Sequence, residues 1–192
     1  MPAKPKRKAV KAKSPAKKAK RPVKKAKRAV KPKGVPRVPE HMHTITPHLV
    51  VKSTSDAIAF YQKAFGAIEH YRMPMPDGAI MHAEIQIGDS VFFMNDEIMG
   101  AKSPQSLGGS PITVHLQVED VDALWNQAVT AGCQVAMPLA DMFWGDRYGI
   151  LVDPFGHLWS MASHIEDVPP EEMGKRAEAA MAEMMGGGAP QQ

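Results

Sequence analysis

The chain is poor in cysteine, in aromatic residues and, at one end, in acid. Of its 192 residues only Cys133 is a cysteine. That excludes an intramolecular disulfide and suits a reducing compartment. No apolar run approaches the ~20 residues that a membrane-spanning helix needs. The N-terminus is basic but has no apolar stretch behind it, so a secretory signal is not expected. Residues 1–37 contain no Asp, no Glu and no Phe, Tyr or Trp.

Those same residues hold 17 of the 24 Lys and Arg, whereas residues 38–192 hold the other seven against all 20 Asp and Glu. The formal charges are therefore +17 and −13 on two pieces joined near Gly34–Pro39. The first piece is Lys/Ala/Pro-rich and has almost no large apolar side chains. It cannot bury enough surface to offset chain entropy, so residues 1–40 are expected to be a disordered basic tail. Dense cations release counterions on meeting a phosphate backbone, so the expected partner is nucleic acid, bound without sequence preference through residues 1–37. The other reading is a solubilising or self-associating tail. The lack of aromatics argues against base stacking. The expected location is the cytoplasm, with nucleoid association if the tail meets DNA; no membrane partner is expected.

The remainder reads as one domain over 41–165 followed by a C-terminal segment, 166–192. TITPHLVV alternates and is β-branched, which predicts a strand over 44–51. A helix follows over 55–65, capped at Thr54 or Ser55 and stopped by Gly66. Strands are expected over 67–75, 79–87 and 90–95, with a turn at Pro76-Asp77-Gly78 and another at Gly88-Asp89. GAKSPQSLGGSP reads as a linker. The order then restarts, with a strand over 111–118, a helix over 120–131 from Asp120 to Gly132, and strands over 133–138, 147–153 and 157–163. TPHLVV (46–51) and TVHLQV (113–118) match, and Asp56-Ala57 recurs as Asp122-Ala123. The domain is thus two β-α-β-β-β modules, 44–97 and 111–164. VPPEEMGKRAEAAMAEMM predicts a last helix with an apolar stripe of Met173, Ala177, Ala180, Met181 and Met184. GGGAPQQ should fray.

Tandem modules of this kind, with HLVVKSTSDAIAFYQKAFGA, HLQVEDVDALWNQAVTAG and DPFGHLW (153–159), resemble the glyoxalase/bleomycin-resistance/dioxygenase family, the vicinal oxygen chelate proteins. The tail, with KSPAKK (13–18), resembles linker-histone tails in composition. The family resemblance implies an α+β fold whose two modules curve into a cup-shaped mixed sheet with helices outside, often as a homodimer. Many members hold a divalent metal and act on vicinal oxygens; others sequester a drug without chemistry.

Strand alternation assigns the faces. Leu49, Val51, Ala83, Ile85, Ile87, Val114, Leu116 and Val118 should pack on the helices. His48, His82, Glu84, Gln86, Asn95, His115, Gln117 and Ser160 should line the cup. Trp144 and Arg147, in the glycine-flanked DMFWGDRYG, join the candidate ligand-binding set of His48, His82, Glu84 and His115. Arg147 either binds a substrate anion or pairs with Asp146 or Asp141. His82 and Glu84 are alternatively cross-strand hydrogen-bonding partners. His157 reads as structural, His70 as solvated, and Trp125 and Cys133 as core. The resemblance implies metal positions at Thr46, Phe93, Thr113 and Ser160, none a good ligand. The expected function is therefore small-ligand binding without the standard metal and with no cofactor. The alternative is a metal-dependent lyase, isomerase or dioxygenase with a divalent ion on His48, Glu84 and His115.

Overall fold

The computed structural model describes residue 34 and residues 36–186. Residues 1–33 and Val35 of the expected tail, and residues 187–192 of the terminal GGGAPQQ, therefore lie outside the described residues; Gly186, its first residue, ends the last helix. Two modules follow one another. The first is β1 (His48–Val51), α1 (Thr54–Phe65), β2 (Ile68–Pro74), β3 (Ile80–Ile87) and β4 (Ser90–Asp96). A one-turn helix, α2 (Pro104–Leu107), leads to β5 (Thr113–Gln117), α3 (Val121–Ala131), β6 (Gln134–Asp141), β7 (Asp146–Val152) and β8 (Leu158–His164). The long α4 (Pro170–Gly186) ends the described chain. Each module is a four-stranded mixed sheet, ordered β1-β4-β3-β2 and β5-β8-β7-β6. This is the α+β fold of tandem β-α-β-β-β modules.

The repeat extends to hydrogen bonds that the linear pattern does not display. Asp96, last in β4, accepts the first backbone N–H of α1, from Thr54, and a second from Ile80. Ser163, at the matching point of β8, accepts the first N–H of α3, from Val121, at 2.9 Å and donates to the Val118 carbonyl. Each sheet thus caps its own helix with a side chain from the end of an inner strand, satisfying donors that a helix start leaves orphaned. Ser53, one residue before the expected caps, supplies the side-chain cap of α1 because its backbone is still extended while Thr54 is already helical.

Two expectations change. The first strand begins at His48, not at 44, because its only ladder is the parallel one to β4, from His48↔Phe93 to Val51↔Asp96. The linker contains α2, started by Ser103-Pro104, a cap followed by proline in the first turn. Glu97 anchors it, accepting from the Ser103 N–H and hydroxyl; these bonds pull its carboxyl down to about 2.

The modules share one core. Trp159 of β8 is fully buried against Tyr61 and Phe65 of α1 and Phe92 of β4, with ring centroids 5.4, 4.6 and 5.9 Å away. At its edge the buried Asp153 carboxylate takes four donors: Tyr61 Oη–H at 2.6 Å, Trp159 Nε1–H, and the backbone N–H groups of Phe155 and His157, these three at 2.9 Å. Burial, followed by the Asp153 charge, pushes the Tyr61 phenol well above its ordinary pKa. Further across the second sheet, Gly149 makes room for Trp125 of α3: a Cβ there would lie 2.6 Å from the indole.

Tyr61→Phe keeps the ring and deletes one charged hydrogen bond, so it should cost about 1.5–3 kcal/mol in urea unfolding. An unchanged midpoint would show that the phenol–carboxylate contact adds nothing to the joint between the modules.

Candidate functional site

The non-helical face of the first sheet carries a ring cluster. His48 of β1, Phe93 of β4 and His82 of β3 stand edge to face, with centroids 5.9 Å (His48–Phe93), 4.9 Å (His82–Phe93) and 6.3 Å (His48–His82). Tyr71 of β2 extends it, 6.4 Å from His82. Glu84, two residues from His82 on β3, does not bond to it; its carboxylate sits 3.3 Å from His41 Nε2. Gln86, farther along, holds the ring of His70 at 2.7 Å and donates to the Gly88 carbonyl, so His70 has a protein partner. Asn95 is buried and donates to the Asp96 carbonyl.

The second sheet carries a different cluster at the equivalent place. His115 pairs across the ladder with Ser160, as His48 does with Phe93. Its Nδ1 lies 2.8 Å from the Ser160 hydroxyl and its Nε2 3.1 Å from Gln117 Oε1. The arrangement that satisfies all three groups has Nε2–H donating to Gln117 and Ser160 donating to the Nδ1 lone pair. The imidazole stacks on Tyr148, 6.2 Å away at 22°, and Trp144 stands 5.6 Å beyond at 73°. Trp144 Nε1–H donates to Asp146, whose other oxygen accepts from His164 Nδ1–H at 2.9 Å. Backbone locks this loop: Ile165 and Glu166 N–H both bond to the Gly145 carbonyl, and a Cβ on Gly145 would meet the Glu166 carbonyl.

Of the six candidate residues, His48 and His82 share one cluster with Glu84 beside them, while His115 and Trp144 share the other. Arg147 stands apart. Alternation along β7 turns it toward α3, where it forks onto Asp122 at 2.7 and 2.8 Å and reaches Asp141 at 2.9 Å. This engagement holds the Asp122 carboxyl below the usual range and leaves Arg147 outside both clusters. Tyr71 and Tyr148 went unread in the sequence, although each alternates onto the cup face of its strand. Cys133 is buried as expected, and burial together with Asp153 pushes its thiol up to about 12. His157 is buried too, bonding to the Val50 carbonyl.

The donors at the metal positions do not fit a divalent ion. Phe93 has none, Ser160 is committed to His115, and the Thr46 hydroxyl contacts the Met42 sulfur. Among the described residues no three His, Cys, Asp or Glu side chains converge as a metal set would. His48, Glu84 and His115 are accordingly not gathered within one chain.

The family signature Glyoxalase/Bleomycin resistance protein/Dioxygenase superfamily matches residues 41–161. The chain belongs to that superfamily. An uncharacterized Mycobacterium bovis protein is 46% identical over 134 residues, covering 67% of this chain and 88% of its own length. Two solved structures share the superfamily fold. TioX from Micromonospora sp. matches at 27% identity and TM-score 0.52, over 63% of this chain and 98% of its own. An Arabidopsis thaliana gene product matches at 30% and 0.53, over the same shares. Within the superfamily domain, no helix among the described residues is long and apolar enough to cross a membrane.

His164 also meets Asp167 at 2.9 Å, and the bonds to Asp146, then Asp167, raise its pKa. A raised imidazole pKa means the bridge is complete below the ordinary value of about 6.5 and is lost as pH rises through the folded value. Asp146→Asn should therefore lower the His164 titration followed by NMR; an unmoved titration would show that Asp146 does not hold the loop.

Proposed function

We propose that this protein binds a small oxygenated ligand on the imidazole- and aromatic-lined faces of its two sheets, without a divalent ion at the usual superfamily positions. One observation carries the reading: neither ring of His48 and His82 has a hydrogen-bond partner among the described residues, although both rings are held in place by Phe93. A neutral imidazole offers one donor and one acceptor, which suits hydroxyl and carbonyl oxygens. The flanking rings supply an apolar wall that strengthens those bonds by excluding water. Glu84, two residues along β3 from His82, accepts a ligand hydroxyl. His115, with both nitrogens engaged, contributes its ring face together with Tyr148 and Trp144. Arg147 drops out of the set, because its donors are taken by Asp122 and Asp141.

His48 and His115 keep separate neighbours within one chain, so the reading includes a homodimer in which a second copy sets one ring face opposite the other. The metalloenzyme alternative would need the same partner to unite His48, Glu84 and His115. Metal analysis of untagged protein separates the two. Stoichiometric Zn²⁺, Ni²⁺ or Fe²⁺ that disappears in Glu84→Gln would overturn the metal-free reading. Under that reading His48→Ala and His82→Ala each weaken catechol or a 1,2-diol, followed by ligand-observed NMR, about 2- to 12-fold while leaving the fold intact.

The reading extends to the basic segment as a non-specific nucleic-acid binder, supported by 17 cations and no acid in residues 1–37. With about 6–10 phosphates neutralised, duplex affinity should fall roughly 10³–10⁵-fold between 50 and 200 mM salt. A protein cut back to residues 38–192 that binds DNA as well as the full chain would contradict it.

A further inference from the structure

β8 hands the chain to α4 through a short root, residues 165–169, which rests on the loop that carries Phe143 and Trp144. The Ile165 and Glu166 N–H groups reach the Gly145 carbonyl at 2.9 and 3.0 Å. Val168 packs there too, with its Cγ2 3.1 Å from where a Cβ on Gly145 would stand. The single arginine of α4 turns back to the same root: Arg176 forks onto Glu166 at 2.8 and 2.6 Å and reaches Glu172 at 3.2 Å. His164, the last residue of β8, joins the root to the sheet. Its Nδ1 meets Asp146 of β7 and its Nε2 meets Asp167 of the root, both at 2.9 Å. A neutral imidazole has a single N–H and a carboxylate only accepts, so both bonds stand together only on an imidazolium.

We propose that His164 is a proton-operated latch: charged, it pins the root of α4 to the second sheet, and on losing its proton it lets the Asp167 arm go. Burial decides which arm yields. The Asp146 side chain is 23% exposed and also holds Trp144 Nε1–H, whereas Asp167 stands fully in water. The neutral ring keeps its one N–H for Asp146, so the aromatic loop stays in place while Asp167 and α4 gain freedom. The remaining charges nearby do not replace the proton. Glu166 of the root is engaged by Arg176, and Arg147, beside Asp146 on β7, is turned onto Asp122 and Asp141. Glu119 follows β5 on the other flank of β8 and is a further acid. These anionic surroundings favour the charged ring, in accord with its raised pKa, for which the bonds to Asp146 and then Asp167 are the main causes. The latch is therefore closed below the ordinary imidazole value of about 6.5 and opens as pH rises through the higher folded value.

The test uses the full chain with a pH-insensitive fluorophore on Glu178→Cys, an exposed position of α4; Cys133 is buried and does not compete for the label. Fluorescence anisotropy reports the freedom of α4, and the His164 ring-proton NMR signal reports the proton. Between about pH 5 and about pH 9 the anisotropy should fall with the midpoint at which His164 titrates. The unlatched population should grow about two- to fivefold, the range for one exposed ion pair. Asp146→Asn should move both midpoints down together. Asp167→Asn carries an amide that donates to the bare nitrogen or accepts from the protonated one, so its anisotropy should not change with pH although the ring still titrates. Three results would each overturn the proposal: anisotropy in the otherwise unmodified labelled chain that stays constant while His164 titrates, midpoints that part in Asp146→Asn, and a pH-dependent fall that persists in Asp167→Asn.

Discussion

The buried carboxylate of Asp153 is the constraint on which the arrangement of this domain depends. A carboxylate taken from water is tolerable only if its lone pairs are filled, and here four donors fill them. Two come from the turn that the residue itself begins, one from Trp159 in its own module and one from Tyr61 in the other. The same group therefore shapes the β7–β8 turn and orients the largest core side chain. It also clamps α1 to the second sheet. Cys133, close enough to feel its charge, is left an inert core thiol.

Around that joint the two modules are copies in backbone and divergent in chemistry. Positions 67 residues apart keep their structural tasks: His48 and His115 sit on equivalent edge strands, and Asp96 and Ser163 cap equivalent helices. The partner across the ladder differs. Phe93 offers His48 only an aromatic edge, and neither nitrogen of His48 has a partner among the described residues, whereas Ser160 and Gln117 occupy both nitrogens of His115. One repeat-related imidazole thus stands edge-on to Phe93, and the other is bonded through both nitrogens and stacked on Tyr148. Divergence of the cross-strand neighbour, rather than of the histidine, separates the two faces.

The same alternation rule explains which candidate residues came together. His82, Glu84 and His48 could be grouped from period-two reading of β1 and β3, because a strand sends every second side chain to one face. Arg147 shows the rule's limit when applied to a residue judged by type alone. One step along β7 from Tyr148, it faces α3 and finds Asp122, a partner 25 residues away in sequence. Tyr148 and Tyr71 obeyed the rule and were passed over, since nothing local marks an aromatic as part of a distant ring cluster.

Local physics written in the chain determined a good deal by itself. The β-α-β-β-β repeat, the helix stops at Gly66 and Gly132, the buried faces of β3 and β5, and the charge division between residues 1–37 and the rest all follow from short-range spacing and composition. Only the tertiary structure decided the start of β1, which needs β4 beside it, and the separation of His48 from His115, which depends on how two sheets pack around Trp159. It also decided the fourfold saturation of Asp153. These are properties of surfaces that meet from opposite ends of the chain, and no window of sequence contains both sides of such a contact.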